Sequence, residues 1–216
     1  PKLKNEIILI GGHLDSWHGG TGGADNASGC VVMMEAMRII KELGIQPKRT
    51  IRIALWGGEE QGLYGSRGYA NTYLYDTEPL AGYEKFALYL NMDNGSGRFR
   101  GIYLEENDQA LPFFEAWKKP IESLGFTTLT LRKTGGTDHM SFTRLGLPAY
   151  QFIQDELEYD RTYHTVMDTY ERLSLSDLKT DAVIVAWLAL NAAMDSGRIP
   201  VLPGYPENIP APYARR

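Results

Sequence analysis

The chain has 216 residues, enough for one well-packed domain, and its 43% hydrophobic and 23% charged content is ordinary for a globular protein. A net charge of −5 without a basic run argues against nucleic acid or an anionic membrane as partner, and no stretch is long and apolar enough to span a bilayer. The single cysteine, Cys30, excludes an internal disulfide framework.

The chain opens on Pro1 rather than methionine, and Ile7–Ile10 already reads as a core strand. A fragment or processed chain is therefore expected, and the lack of a leader carries no information on localisation. Glu6–Ile10 is almost wholly apolar, the pattern of a strand buried on both faces. It ends in Gly11-Gly12, and His13-Leu14-Asp15-Ser16-Trp17 follows at its carboxyl end, where open α/β sheets place ligands. The glycine-rich run 18–23 lacks the Lys-Ser or Lys-Thr of a phosphate-binding loop. Ala24–Gly29 then leads into an apolar helix over Cys30–Leu43, stopped by Gly44.

Lys48–Trp56 is the second strand, and the turn Gly57-Gly58-Glu59-Glu60-Gln61-Gly62 follows it. Adjacent side chains of an extended segment point apart, so one glutamate can bind a metal while the other stays free to move protons. A helix is expected over Gln61–Tyr75 and a strand over Lys85–Met92, ending in Asp93. Arg100–Leu104 and Phe126–Leu131 are further candidate strands, with a helix over Gln109–Leu124 between them. A short helix after Thr137-Asp138-His139, a strand over Leu147–Ile153 and a long helix over Leu175–Met194 complete the pattern. Beyond Gly197 five prolines preclude regular structure, and residues 198–216 are expected to run over the surface as a tail to a 1–197 catalytic domain. Strands alternating with helices imply an α/β sandwich on a mostly parallel sheet. Its strand ends gather His13, Asp25, Glu60 and Asp93. Imidazole and carboxylate donors suit zinc, a carboxylate can bridge two ions, and a paired-metal site can hydrolyse a peptide bond.

The strings Gly-Gly-His-Leu-Asp-Ser-Trp (11–17), Ala-Asp-Asn-Ala-Ser-Gly (24–29), Trp-Gly-Gly-Glu-Glu-Gln-Gly (56–62), Asn-Met-Asp (91–93) and Tyr-His-Thr (163–165) resemble the co-catalytic di-zinc exopeptidases. That family includes bacterial aminopeptidases and glutamate carboxypeptidases. The wording at 13–17 and 46–52 is most similar to the plasma-type glutamate carboxypeptidase branch, although Asp93 is the aminopeptidase residue where that branch has glutamate. The likeness runs from about residue 5 to about residue 195. It implies a three-layer α/β/α sandwich around a mostly parallel mixed sheet, a peptide substrate and two zinc ions. Asp25 would bridge them, with His13 and Glu60 completing one ion's ligands and Asp93 and His164 the other's. Glu59 matches the general base, Asp15 the carboxylate that orients a histidine ligand, and Tyr163 a hydroxyl that stabilises the oxyanion. The resemblance also implies a cis peptide between Asp25 and Asn26, a secreted or periplasmic location, and a homodimer or an upstream domain as further partner. His139 is read as structural or orienting, His18 as a loop residue at the cleft entrance, Cys30 as core, and Asp168 as either orienting His164 or capping. Two readings compete with the peptidase: a single-zinc glutaminyl cyclase, and a non-catalytic receptor-like binding domain of the same fold. The complete ligand set disfavours both.

Overall fold

A computed structural model of the chain describes residues 2–75 and 81–212, so positions 213–216 of the expected tail lie outside the described residues. Its strands are β1 (Ile7–His13), β2 (Thr50–Trp56), β3 (Phe86–Asn91), β4 (Phe99–Tyr103), β5 (Thr128–Thr130) and β6 (Ala149–Gln154). They form one sheet in the order β2-β1-β3-β6-β4-β5, parallel throughout except where β4 meets β6. The helices are α1 (Ser28–Glu42), α2 (Tyr64–Tyr69), α3 (Ala81–Lys85), α4 (Leu111–Lys118), α5 (Met140–Thr143), α6 (Tyr159–Thr162) and α7 (Leu175–Met194). None of the described helices is long and apolar enough to cross a membrane.

The inner strands β1 and β3 are buried on both faces, as their apolar sequences require, while the edge strands β2 and β5 are partly exposed. Ile8 and Ile10 of β1 point into a core built with Val32 and Met33 of α1, Phe114 of α4 and Val185 and Leu188 of α7. Leu9 points the other way, into a second core with Trp56, Tyr83 of α3 and Phe142 of α5. Alternation along one strand thus feeds two cores, which is the three-layer sandwich expected. Each of these three β1 side chains is 1% exposed or less, and burying it fully contributes about 1.5–3 kcal/mol.

Three elements differ from their sequence pattern. The helix expected over 109–124 is α-helical only to Lys118, because Pro120 lacks an N–H and forces Lys119–Leu124 into a 3-10 turn. The helix expected from Gln61 starts at Tyr64, because Glu59–Leu63 closes a tight turn in which Leu63 is left-handed with φ 60. The strand expected over 126–131 keeps three residues at the sheet edge, Thr128–Thr130.

The ends of the sandwich are tied by Arg49, 2% exposed. Its guanidinium donates to Glu6 Oε2 at 2.6 Å, to the carbonyls of Ala192 and Asp195 at 2.9 and 2.7 Å, and to that of Gly197 at 2.8 Å. The rigid fork of arginine suits such multiple recognition. Beyond Gly197 the described tail has no helix or strand, as its prolines dictate.

Candidate metal centre

Register brings the first donors together. In the parallel pair β1–β3, Gly11 lies opposite Asn91, so His13 and Asp93 emerge level at the carboxyl edge. On the other side His13 lies opposite Trp56, and Glu59 and Glu60 reach over from the turn that follows β2. His13 Nε2 stands 3.0 Å from Asp25 Oδ1, 3.1 Å from Asp93 Oδ1 and 4.0 Å from Glu59 Oε2. The other oxygen of Asp25 is 3.1 Å from His164 Nε2, which also meets Glu60 Oε2 at 3.0 Å. The Asp25 carboxylate therefore lies between two imidazoles. His13, Asp25, Glu59 and Asp93 are buried, whereas His164 is half-exposed and has φ 58, a left-handed conformation that costs a non-glycine residue energy and is common at functional sites.

These contacts sort the donors differently from the resemblance. His13 touches Asp93 rather than Glu60, and Glu60 touches His164, because the β1–β3 register sets His13 level with Asp93 whereas Glu60 lies four residues past the end of β2. His13, Asp25 and Glu60 still offer atoms within 4.8 Å of one another, as do His13, Glu59 and Asp93.

The loop carrying Asp25 is fixed from several directions. Asp168, 2% exposed, accepts the N–H groups of Ala24 at 2.6 Å and Asp25 at 3.0 Å. Asp168 thus braces the Asp25 loop, which neither of its two expected roles foresaw. The Asp25–Asn26 peptide is cis, as the resemblance implies. Asn26 donates to the Met92 carbonyl at 2.7 Å and accepts the Gly29 N–H at 3.0 Å, locking the loop to the end of β3. Gly29 makes this possible, since a Cβ there would overlap Asn26 Oδ1 and stand 2.7 Å from the Met92 carbonyl.

Asp15 works by another route than expected. Its carboxylate is 3.7 Å from His13 Nδ1, too far for a hydrogen bond, and the ring instead meets the main-chain carbonyl of Asp15 at 2.8 Å. The carboxylate accepts the N–H groups of Glu59 and Glu60 at 3.1 and 3.2 Å, and so holds the Glu-Glu turn. Cys30 is core: its buried thiol donates to the His13 carbonyl at 3.0 Å, and burial pushes it up to about 11. His139 is fully buried away from the cluster, with Nε2 3.5 Å from Glu105 Oε1. His18 lies beside Trp17 on the exposed loop, their rings 6.2 Å apart.

Four carboxylates and two imidazoles in so small a volume perturb one another. Burial and then the Asp93 charge push Glu59 up to about 8, and burial and then Asp25 push Glu60 up to about 7. Burial alone would lower His13, but hydrogen bonds to Asp25 and Asp93 outweigh it and push the ring up to about 12. Each shift has the sign expected of negative charge short of cations. The buried Glu60 Oε1 has no hydrogen-bond partner, another sign that the donor set suits a cation. Oxygen and imidazole nitrogen donors of this kind are those zinc takes.

A cleft of about 570 Å³ opens over the cluster, lined in part by Leu63, Met140, Tyr159 and Tyr163. The Tyr163 ring packs against His164, with centroids 4.5 Å apart, and stacks on Tyr159 at 5.0 Å. The sequence pattern missed Tyr159. Burial and the charges of Asp93, Asp25, Glu60 and Glu59 hold its phenol far above the usual range, so the hydroxyl stays protonated beside them. It missed Asp138 too, a fully buried carboxyl that burial pushes up to about 7.

Known proteins resemble this chain in sequence and in fold. Carboxypeptidase Q of Rattus norvegicus is 29% identical over 188 residues, 87% of this chain and 38% of the relative. A peptidase M28 precursor from Shewanella amazonensis superposes with TM-score 0.83 at 32% identity, over 94% of this chain and 45% of that one. BSAP, a zinc aminopeptidase from Bacillus subtilis, does so with TM-score 0.72 at 26% identity, over 88% and 47%. The chain thus spans less than half the length of each. The model of peptidase family M28 matches residues 1–189, and with the six-stranded sandwich and the clustered donors at its carboxyl edge, the chain belongs to that family.

Proposed function

We propose that residues 1–197 form the catalytic unit of a di-zinc exopeptidase that removes a terminal residue from a peptide. The observation that carries this reading is the Asp25 carboxylate, one oxygen against His13 and the other against His164. Asp25 would be shared by two ions, with His13 and Asp93 holding one and Glu60 and His164 the other. Bound zinc supplies Lewis acidity toward the peptide carbonyl and acidifies the attacking water.

Glu59 is the general base. Its Oε2 is farther from His13 than the oxygens of Asp25 and Asp93, and it is buried at the cleft wall. A carboxylate so held can take a proton from the attacking water and return it to the leaving amine. Asp15 fixes the Glu59 and Glu60 main chain through two accepted N–H bonds, which keeps proton carrier and ligand apart. Tyr163, at the cleft wall beside His164, carries the hydroxyl that would stabilise the oxyanion.

The test compares two substitutions on amino-acid anilides and blocked dipeptides, with and without chelator. Glu59→Gln should keep two metals per chain and lower turnover by about 10²-fold or more. Glu60→Gln should lose metal. The opposite pattern would reverse the two roles, and one metal per chain in the unsubstituted protein would favour the cyclase reading.

A further inference from the structure

The tail lies outside the family match yet walls a second cleft, of about 580 Å³, beside the first. The two clefts share Leu63, Arg67 and Met140 as lining residues, so they adjoin. The first cleft is lined by Asp25, Glu59, Glu60 and Asp93, and the second by Lys133 and Arg144, with Arg67 between the two; among the described residues the second cleft's lining carboxylate is Glu105. Glu105 is turned inward, 4% exposed, accepting the Thr134 N–H at 3.0 Å. Lys133 meets Glu106 at 2.6 Å, but both side chains are exposed and the pair is screened by water.

The outer wall is Leu202, Tyr205 and Asn208 of the tail. It is held in place rather than draped: the Leu202 N–H donates to the Gly146 carbonyl at 2.8 Å, the Tyr205 hydroxyl to the Arg144 carbonyl at 3.3 Å, and the Arg144 guanidinium to the Ala211 carbonyl at 2.9 Å. Gly146 has φ 72, and a Cβ there would overlap the Tyr205 ring, so glycine admits the close seat of the tail.

We infer that this annex is a substrate subsite. It holds the part of a peptide that extends past the metal centre and selects for a carboxylate there, an inference that rests on the peptidase reading above. A peptide's anionic group would be drawn toward the annex cations. The carboxylate can belong to an acidic side chain or to the peptide's own terminus.

The experiment measures kcat and KM of the zinc-loaded chain on tripeptides that differ only in the third residue, Glu, Ala or Lys, and on the Ala peptide amidated at its terminus. An amino-acid anilide and a blocked dipeptide serve as short controls. A side-chain carboxylate predicts that Glu is preferred over Lys by about tenfold, mainly in KM, and a terminal carboxylate predicts a similar loss on amidation. Lys133→Glu, at an exposed position, should erase the preference, and Tyr205→Ala should raise KM for tripeptides, both leaving the short control unchanged. Tripeptide rates indifferent to charge and to amidation would overturn the subsite and leave the peptidase standing, as would variants that slow short and long substrates equally. Failure to cleave any substrate would overturn the peptidase reading and the subsite with it.

Discussion

Asp168→Asn tests whether the shape of the Asp25 loop governs metal affinity. The carboxylate is 2% exposed and its two oxygens accept the N–H groups of Ala24 and Asp25 at 2.6 and 3.0 Å. An asparagine turns one acceptor into an NH₂ group facing an N–H donor. One buried amide then lacks an acceptor, at about 1–3 kcal/mol, and the surviving bond loses its charge assistance, for a total of about 2–4 kcal/mol. Asp168→Ala removes both acceptors and should cost about 2–6 kcal/mol. Urea unfolding of the metal-free variants reads this directly. Since the same loop aims Asp25 between two imidazoles, zinc affinity should also fall by about 10–100-fold, measured by competition with a chelator. A variant that unfolds and binds zinc like the unsubstituted protein would refute the reasoning. A loss of stability with zinc affinity retained would refute only the coupling between loop and metal.

Tyr163→Phe should lower kcat by about 10²-fold with two zinc ions retained, as for loss of an oxyanion donor. Undiminished turnover in this variant, with a loss in Tyr159→Phe, would transfer the role to Tyr159. Arg49→Ala strips a buried guanidinium from Glu6 and three carbonyls and should destabilise by about 3–5 kcal/mol in urea unfolding, and an unchanged midpoint would contradict the clasp. Loading zinc into chelator-treated protein at pH 7 should release protons, because Asp25 and Asp93 hold His13 protonated up to about 12. Calorimetry in buffers of different ionisation enthalpy measures that release. The sign for stability follows: a histidine raised above its unfolded value of 6.5 stabilises the metal-free fold fully below that pH, and the contribution fades as pH rises toward 12.

Several candidate donors were legible in the sequence because they sit beside a strand end in a short, chemically unusual string, as with His13 after Ile7–Ile10 and Glu59-Glu60 after Trp56, whereas Asp25 and His164 lie farther from any strand and were marked by their strings alone. Which donors touch was not legible. It depends on strand order and register, and only the placement of β3 beside β1 brings Asp93 level with His13. Asp168 illustrates the same limit: its partners lie 143 and 144 residues away, while its proximity in sequence to His164 suggested a different role. Tyr159 carries no local signal at all, being one tyrosine in a polar loop until the fold folds it over the carboxylates. Among the helices, Pro120 was visible in the sequence, but the surrounding apolar spacing concealed the break it makes.

The clasp at Arg49 also bears on how this unit can be joined to other polypeptide. Glu6 and Gly197 are bound by one guanidinium, so the chain enters and leaves the sandwich at neighbouring points. That port lies at the amino end of β1, while His13 marks the opposite end seven residues on, about 23 Å away at the rise of a strand. A host sequence could accept the unit as an insertion, or a short linker could reconnect its ends in a circular permutant, without a strand of the catalytic edge being rethreaded. Material attached ahead of Glu6 would hang from the base of the sandwich.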